Sequence, residues 1–208
     1  MLRNNLVLFA RAPRLGTGKR RLARDTGDLT AWRFHWLTTR RLLRRLSGDP
    51  RWTVWLAVTP DSAARGASSG RGGSAGLGLW DAPVRVIPQG RGDLGQRMGR
   101  VMHSLPRGPV VIIGADVPDI QPRHAAEAFH RLRGHDAVIG PADDGGYWLV
   151  GLRRRPVVRT PFSGVRWGGP DARSDTLANL RTQGASVAFL ETLSDVDTAD
   201  DLRSHHWR

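Results

Sequence analysis

The chain has no cysteine, which excludes a disulfide-stapled fold, thiol catalysis and a Cys-ligated zinc site. Lysine occurs once, as Lys19, among 32 basic residues, and tyrosine once, as Tyr147. An arginine bias of this kind is what GC-rich codon usage produces. No apolar run approaches the roughly 20 residues of a transmembrane helix, so no membrane span is expected. Met1 to Ala10 carries one arginine and a short apolar run with no small-residue cleavage site after it, and reads as a buried strand rather than a signal peptide. Nothing calls for an oxidising compartment, and the expected location is the cytoplasm. His35, His103, His124, His130 and His135 lack the spacings of a zinc site. No G-x-G-x-x-G follows the first strand, so a dinucleotide cofactor is not expected. The net charge of +13 suits nucleic acid, an anionic surface or a phosphorylated substrate. Its arginines are scattered rather than gathered with aromatics, and direct nucleic-acid binding is not expected.

What is present is an alternation of short apolar strands and helical stretches over 208 residues, read as one domain spanning residues 1–208. Strands are expected at Asn5–Ala10, Trp52–Val58, Val84–Ile87, Pro109–Gly114, Asp136–Ile139, Tyr147–Leu152 and Val187–Leu190. Helices are expected over Arg20–Leu46 (with a break near Gly27), Leu94–His103, Arg123–Arg133, Ala172–Arg181 and from Ala199 onward. Ser62 to Gly78, built of Ala, Ser, Gly and two arginines, has little to bury and reads as a flexible insertion with a short helix at most. The pattern is that of an α/β domain with a mostly parallel central sheet flanked by helices. Ligands in such sheets bind outside the carboxyl ends of the strands. The polar motifs fall there: GTGK after the first strand, QGRGD after the third, GADVPD after the fourth and PADDGG after the fifth.

Each motif has a chemical and a purely structural reading. In Arg11 to Leu22, Gly16 and Gly18 let backbone amides approach an anion, and Lys19, Arg20 and Arg21 would neutralise phosphate oxygens. The alternative is a strand-to-helix turn with a solvated basic face. Asp116 follows a buried strand with no basic neighbour in sequence, which invites a divalent ion or else a turn-capping role. Asp119 reads as a helix cap. Asp195 and Asp197 share one face of an extended segment and are a second pair of ligand candidates. Thr198 would cap the last helix, with Asp200 and Asp201 in its first turn. Gly145 and Gly146 permit close backbone approach, beside Asp144 and Tyr147. Gly92, Asp93 and Arg97 lie in a stretch that either contacts phosphates or a sugar, or forms a polar loop and a helix cap.

The ordered set RAPRLGTGKRRLA, QGRGDLGQRM, VVIIGADVPDI, DAVIGPADDGGYWLVGL and DVDTADDL resembles the DUF2064 family of small bacterial glycosyltransferases of the arsenosugar-biosynthesis type, from about Leu6 to Leu202. That family looks like a branch of the nucleotide-diphospho-sugar transferase (GT-A) superfamily. The resemblance implies a GT-A-like domain and a Mg²⁺- or Mn²⁺-dependent transferase acting on a nucleotide-activated substrate and an acceptor it does not identify. It implies a metal held by Asp116, Asp195 and Asp197, and a base and ribose near Phe9 to Leu15, including Ala10, Arg11 and Pro13. Phosphates would be held by Gly16, Gly18, Lys19 and Arg20, the last standing where the family usually has Thr. Gly92, Asp93 and Arg97 would complete the nucleotide site, and Gly145, Gly146, Tyr147 and Trp167 the acceptor side. Lys19 and Asp144 would be catalytic, Asp144 as the base. A rival reading keeps the site and changes the reaction: a nucleotidyltransferase that takes an NTP and a small phosphorylated acceptor, as the similar phospholactate and phosphoenolpyruvate guanylyltransferases do.

Overall fold

Strands and helices alternate along the chain in a computed structural model that describes residues 3–67 and 84–205. The strands β1 (Asn4–Arg11), β2 (Trp52–Thr59), β3 (Arg85–Pro88), β4 (Val110–Gly114), β5 (Ala137–Pro141), β6 (Tyr147–Leu152) and β7 (Val187–Phe189) form one sheet in the order β3-β2-β1-β4-β6-β5-β7. β1 runs parallel to β2 and β4, β2 to β3, and β5 to β7. β6 runs against both of its neighbours, β4 and β5. The cause is local: β5 and β6 are joined only by Ala142 to Gly146, and so short a link permits a hairpin but not the helical crossover a parallel pair needs.

The helices are α1 (Arg20–Thr26), α2 (Asp28–Ser47), α3 (Ser62–Ala67), α4 (Leu94–Ser104), α5 (Pro122–Arg131), α6 (Ala172–Thr182) and α7 (Ala199–Ser204). Gly27, at φ +86°, separates α1 from α2 in a backbone conformation that side chains resist. The expected insertion begins with α3; its remainder, 68–78, lies outside the described residues. Asp119 does not cap α5. The cap of that helix is Gln121, two residues further on, and the Asp119 carboxylate pairs instead with His205 at 3.3 Å.

Strand alternation sorts the core into two layers. Leu6, Leu8, Leu56, Val111 and Ile113 face α2 (Leu42, Leu43, Leu46) and α5 (Ala125, Ala128, Phe129). Val7, Ala57 and Ile112 face α4 (Met98, Val101, Met102) and Leu180 of α6. Burying one such aliphatic side chain contributes about 1.5–3 kcal/mol. A smaller cluster of Leu22, Ala31, Phe34 and Val196 fastens the segment before α7 onto α1 and α2. That anchorage brings the late acidic motif to the sheet edge.

Candidate functional site

β1, β2 and β4 end on the same side of the sheet, and the reversed β6 begins there. A cleft of about 600 Å³ opens at that edge. Its wall includes Phe9, Ala10 and Arg11 from β1, Thr59 from β2, Gly114 at the end of β4 with Ala115 and Asp116 beyond it, and Tyr147 of β6. Gly18, Lys19, Arg20 and Arg21 close one side and Arg97 another.

The loop after β1 turns back through Gly16 (φ +73°), Gly18 (φ +82°) and Lys19 (φ +43°). A left-handed conformation costs a residue with a Cβ about 1–2 kcal/mol, so something must hold Lys19 in it. Three acceptors do. The Lys19 ammonium donates to Asp197 Oδ1 at 2.6 Å, to the Val196 carbonyl at 2.7 Å and to Asp116 Oδ2 at 3.5 Å. Its side chain is only 11% exposed. Burial pulls the ammonium pKa down, but Asp116 and Asp197 outweigh it and hold the pKa above the ordinary lysine range.

Asp116 leaves β4, whereas Asp195 and Asp197 precede α7, and the Val196 N–H joins the two segments by donating to the Asp116 carbonyl at 3.1 Å. The three carboxylates each offer an oxygen within 4.8 Å of the others. Burial, then the neighbouring charges of Asp116 and Asp197, push the Asp195 carboxyl up to about 6. Asp200 and Asp201 stand apart in the first turn of α7, where Thr198 caps Asp201 N–H and Asp201 Oδ2 accepts from the N–H groups of Asp197 and Thr198. The sequence offers the acidic cluster no cation; the fold corrects this, because Lys19 reaches it from the opposite end of the chain. An all-carboxylate donor set of this size suits Mg²⁺ or Mn²⁺, so the residues present fit such an ion.

The other expected site residues divide. Ala10, Arg11, Gly18, Arg20, Arg97 and Tyr147 line the cleft. Pro13 is buried beside it, and Gly16 lies in the exposed loop. Asp93 caps α4, accepting from Gln96 N–H at 2.7 Å, with Gly92 packed on the Gln96 side chain. Asp144 Oδ1 accepts from Gly146 N–H at 2.8 Å, and its charge reaches Asp195. Gly145, at φ +88°, lies so close to Pro170 that a Cβ there would stand 2.4 Å from the Pro170 carbonyl. Trp167 packs edge-on against Tyr147, with ring centroids 6.4 Å apart, and does not itself line the cleft. Burial raises the Tyr147 phenol pKa, so the hydroxyl stays protonated; Thr176 Oγ1 lies 3.4 Å away.

Two cleft residues escape sequence reasoning. Gln89 is 3% exposed; its amide donates to the Ala10 and Ala57 carbonyls at 3.0 and 2.9 Å, and its oxygen accepts from Arg97 Nη1 at 3.0 Å. It therefore fixes Arg97 against the strand ends. The one available signal was a polar residue directly after a strand. His35 projects from α2 to the Arg11 carbonyl at 2.7 Å, and burial lowers its pKa. Nothing in its spacing marks it.

A sequence profile of a family described as an uncharacterized protein conserved in bacteria, DUF2064, matches residues 42–169. No curated protein matches the chain by sequence. Among solved structures, a protein of Desulfovibrio desulfuricans G20 classed as a nucleotide-diphospho-sugar transferase is 28% identical, with a TM-score of 0.85 over 100% of this chain and 87% of that one. The 4-diphosphocytidyl-2C-methyl-D-erythritol synthase of Anaerococcus prevotii DSM 20548 shares the fold at 10% identity, with a TM-score of 0.63 over 100% and 99% of the two chains. So does the glucosyl-3-phosphoglycerate synthase of Mycobacterium tuberculosis, solved with Mn²⁺, UDP and its product, at 13% identity and a TM-score of 0.55 over 93% and 71%. The fold is that of the nucleotide-diphospho-sugar transferases.

Proposed function

The chain belongs to the DUF2064 family, and from that footing we propose that it is a divalent-metal-dependent transferase acting on a nucleotide-activated substrate, with a nucleotide-diphospho-sugar as the donor. One observation carries the reading: three carboxylates and the only lysine converge at the strand ends beneath a cleft of nucleotide size, about 600 Å³. Asp116, Asp195 and Asp197 would hold a Mg²⁺ or Mn²⁺ ion, whose charge would offset the negative charge of the leaving group.

The chain's own residues do the rest. Phe9, Ala10 and Arg11 form the floor on which base and ribose lie, with Pro13 behind it. The Gly16–Gly18 loop, Lys19 and Arg20 take the phosphates, and Arg97, held by Gln89, faces them from the other wall. Gly92 and Asp93 act on this site indirectly, by starting the helix that carries Arg97. Tyr147, supported by Trp167 and the Gly145–Gly146 turn, bounds the acceptor side. Asp144 keeps Oδ1 on Gly146 N–H, which leaves Oδ2 to take the proton of an acceptor hydroxyl.

The nucleotidyl alternative draws on a specific observation. Arg20 and Arg21 line the cleft beside Lys19, giving one wall three cationic side chains, a surface suited to a triphosphate. Thermal unfolding with a panel of NTPs and sugar nucleotides, with and without Mg²⁺, tests both readings, since a ligand that binds only the native state raises Tm. Stabilisation by sugar nucleotides, with nucleoside diphosphate released in turnover, is expected. Stabilisation by an NTP with pyrophosphate release would replace glycosyl by nucleotidyl transfer. No Mg²⁺-dependent stabilisation by either class would remove the proposal.

A further inference from the structure

We propose that Lys19 is an exchangeable counter-ion: it neutralises the carboxylate cluster in the resting protein and gives way when a divalent ion enters, turning toward a substrate phosphate. The inference rests on the metal reading above and adds to it how the site is kept and how it is loaded.

An ammonium has three donors. All three of Lys19's are accounted for, by Asp197 Oδ1, the Val196 carbonyl and Asp116 Oδ2. Two of these acceptors are also two of the three carboxylates that would ligate an ion. A dication held by those carboxylates would compete with the ammonium for their negative charge, and like charges crowded onto one cluster repel strongly. The two cations therefore exclude each other.

Among the described residues, no other cation approaches the cluster as closely as Lys19 does. Arg21 reaches only to 3.9 Å from Asp197 Oδ2, and its side chain is 71% exposed. His35 is turned to the Arg11 carbonyl. The exit route is short, because Lys19 already lines the cleft. A phosphate that draws the ammonium off the cluster makes room for the ion, and an ion that expels the ammonium delivers it to the phosphate. Metal and nucleotide affinity are then linked, each raising the other by the same factor.

Two experiments on the full chain, both without nucleotide, use Mn²⁺ as the probe. In the first, free Mn²⁺ is followed by electron paramagnetic resonance during titration of the natural protein, Lys19→Met and Lys19→Gln. Both variants are expected to bind Mn²⁺ at least about tenfold more tightly, a difference of about 1.4 kcal/mol. Equal or weaker binding overturns the exchange while leaving the ion site standing; no Mn²⁺ binding by any of the three proteins overturns both. The second needs no variant. Because the chain holds one lysine, the rate of Lys19 acetylation by an amine-directed reagent can be read peptide by peptide with mass spectrometry. Saturating Mn²⁺ should speed it severalfold by releasing an amine that is 11% exposed. An unchanged or slower rate overturns the exchange even if the variants fail to fold.

Discussion

Lys19 and Asp197 meet at 2.6 Å across 178 positions of sequence, and each makes a separable prediction. Asp197→Asn keeps the shape of the side chain and removes its charge. Turnover should fall by about 10²-fold or more, since a group that stabilises transition-state charge is lost. Asp197 N–H still donates to Asp201 in that variant, so Tm should move by only a few degrees. Full activity in a folded Asp197→Asn protein would take this carboxylate out of the site. The backbone at Lys19 is tested by comparing two truncations that both lose the ammonium. At φ +43°, Lys19→Gly should be about 1 kcal/mol more stable than Lys19→Ala in urea unfolding, because only alanine places a Cβ in the left-handed region. Equal stabilities would mean that the loop relaxes when the ammonium goes. The sequence made these residues conspicuous singly: one lysine in a Gly-rich turn, one aspartate past an apolar strand, two aspartates sharing a face. It could not make the ion pair visible, because nothing local links residues that only the closed fold brings together. Gln89 and His35 stayed hidden for the complementary reason, since each contacts backbone carbonyls and carbonyls leave no trace in side-chain spacing.

Between β5 and β7 the ladder is closed by a side chain as well as by main chain. The Asp136 carboxylate accepts from Ser186 N–H and Oγ at 3.0 Å and from Arg153 Nη2 at 2.6 Å, with Arg159 3.3 Å away. The Ser186 bonds first, then Arg159 and Arg153, hold its pKa below the ordinary value of 3.8. A depressed aspartate pKa contributes stability above the unfolded value and loses it as pH falls through the folded one. Asp136→Asn should therefore be less stable by about 1–3 kcal/mol at pH 7. That gap should shrink in urea unfolding at pH 3; a gap that does not change with pH would assign the loss to shape rather than charge. At this scale the sequence was most readable. Short apolar runs and Gly, Pro and Asp punctuation marked the strands and helices to within a few residues. The direction of β6 was implicit in the five residues before it, and the start of α5 was legible to within one residue, whereas its cap was not: Gln121, directly before Pro122, takes that place rather than Asp119.

Across the whole molecule, the cleft depends on the two ends of the chain. Residues after β1 supply the cation, and residues after β7 supply two of the three carboxylates. The Val196 side chain, buried against Leu22, Ala31 and Phe34, its N–H bond to Asp116 and the Lys19 bonds to Val196 and Asp197 help hold the late segment in place. All seven described strands precede it. A chain ended after Leu193 should thus keep the sheet and most of the core. Its circular dichroism should stay near that of the full chain, while its Mn²⁺ and nucleotide binding are lost; retained binding would show that Asp116 and Lys19 suffice. The same arrangement has a meaning in time. Translation runs from β1 toward α7, and domains begin to fold as they emerge. Lys19 leaves the ribosome before any of these carboxylates, and Asp195 and Asp197 leave only after all seven described strands have been made. A nascent chain therefore carries all the described strands before its acidic cluster is whole, and the proposed ion site closes only when Val196 locks into its slot.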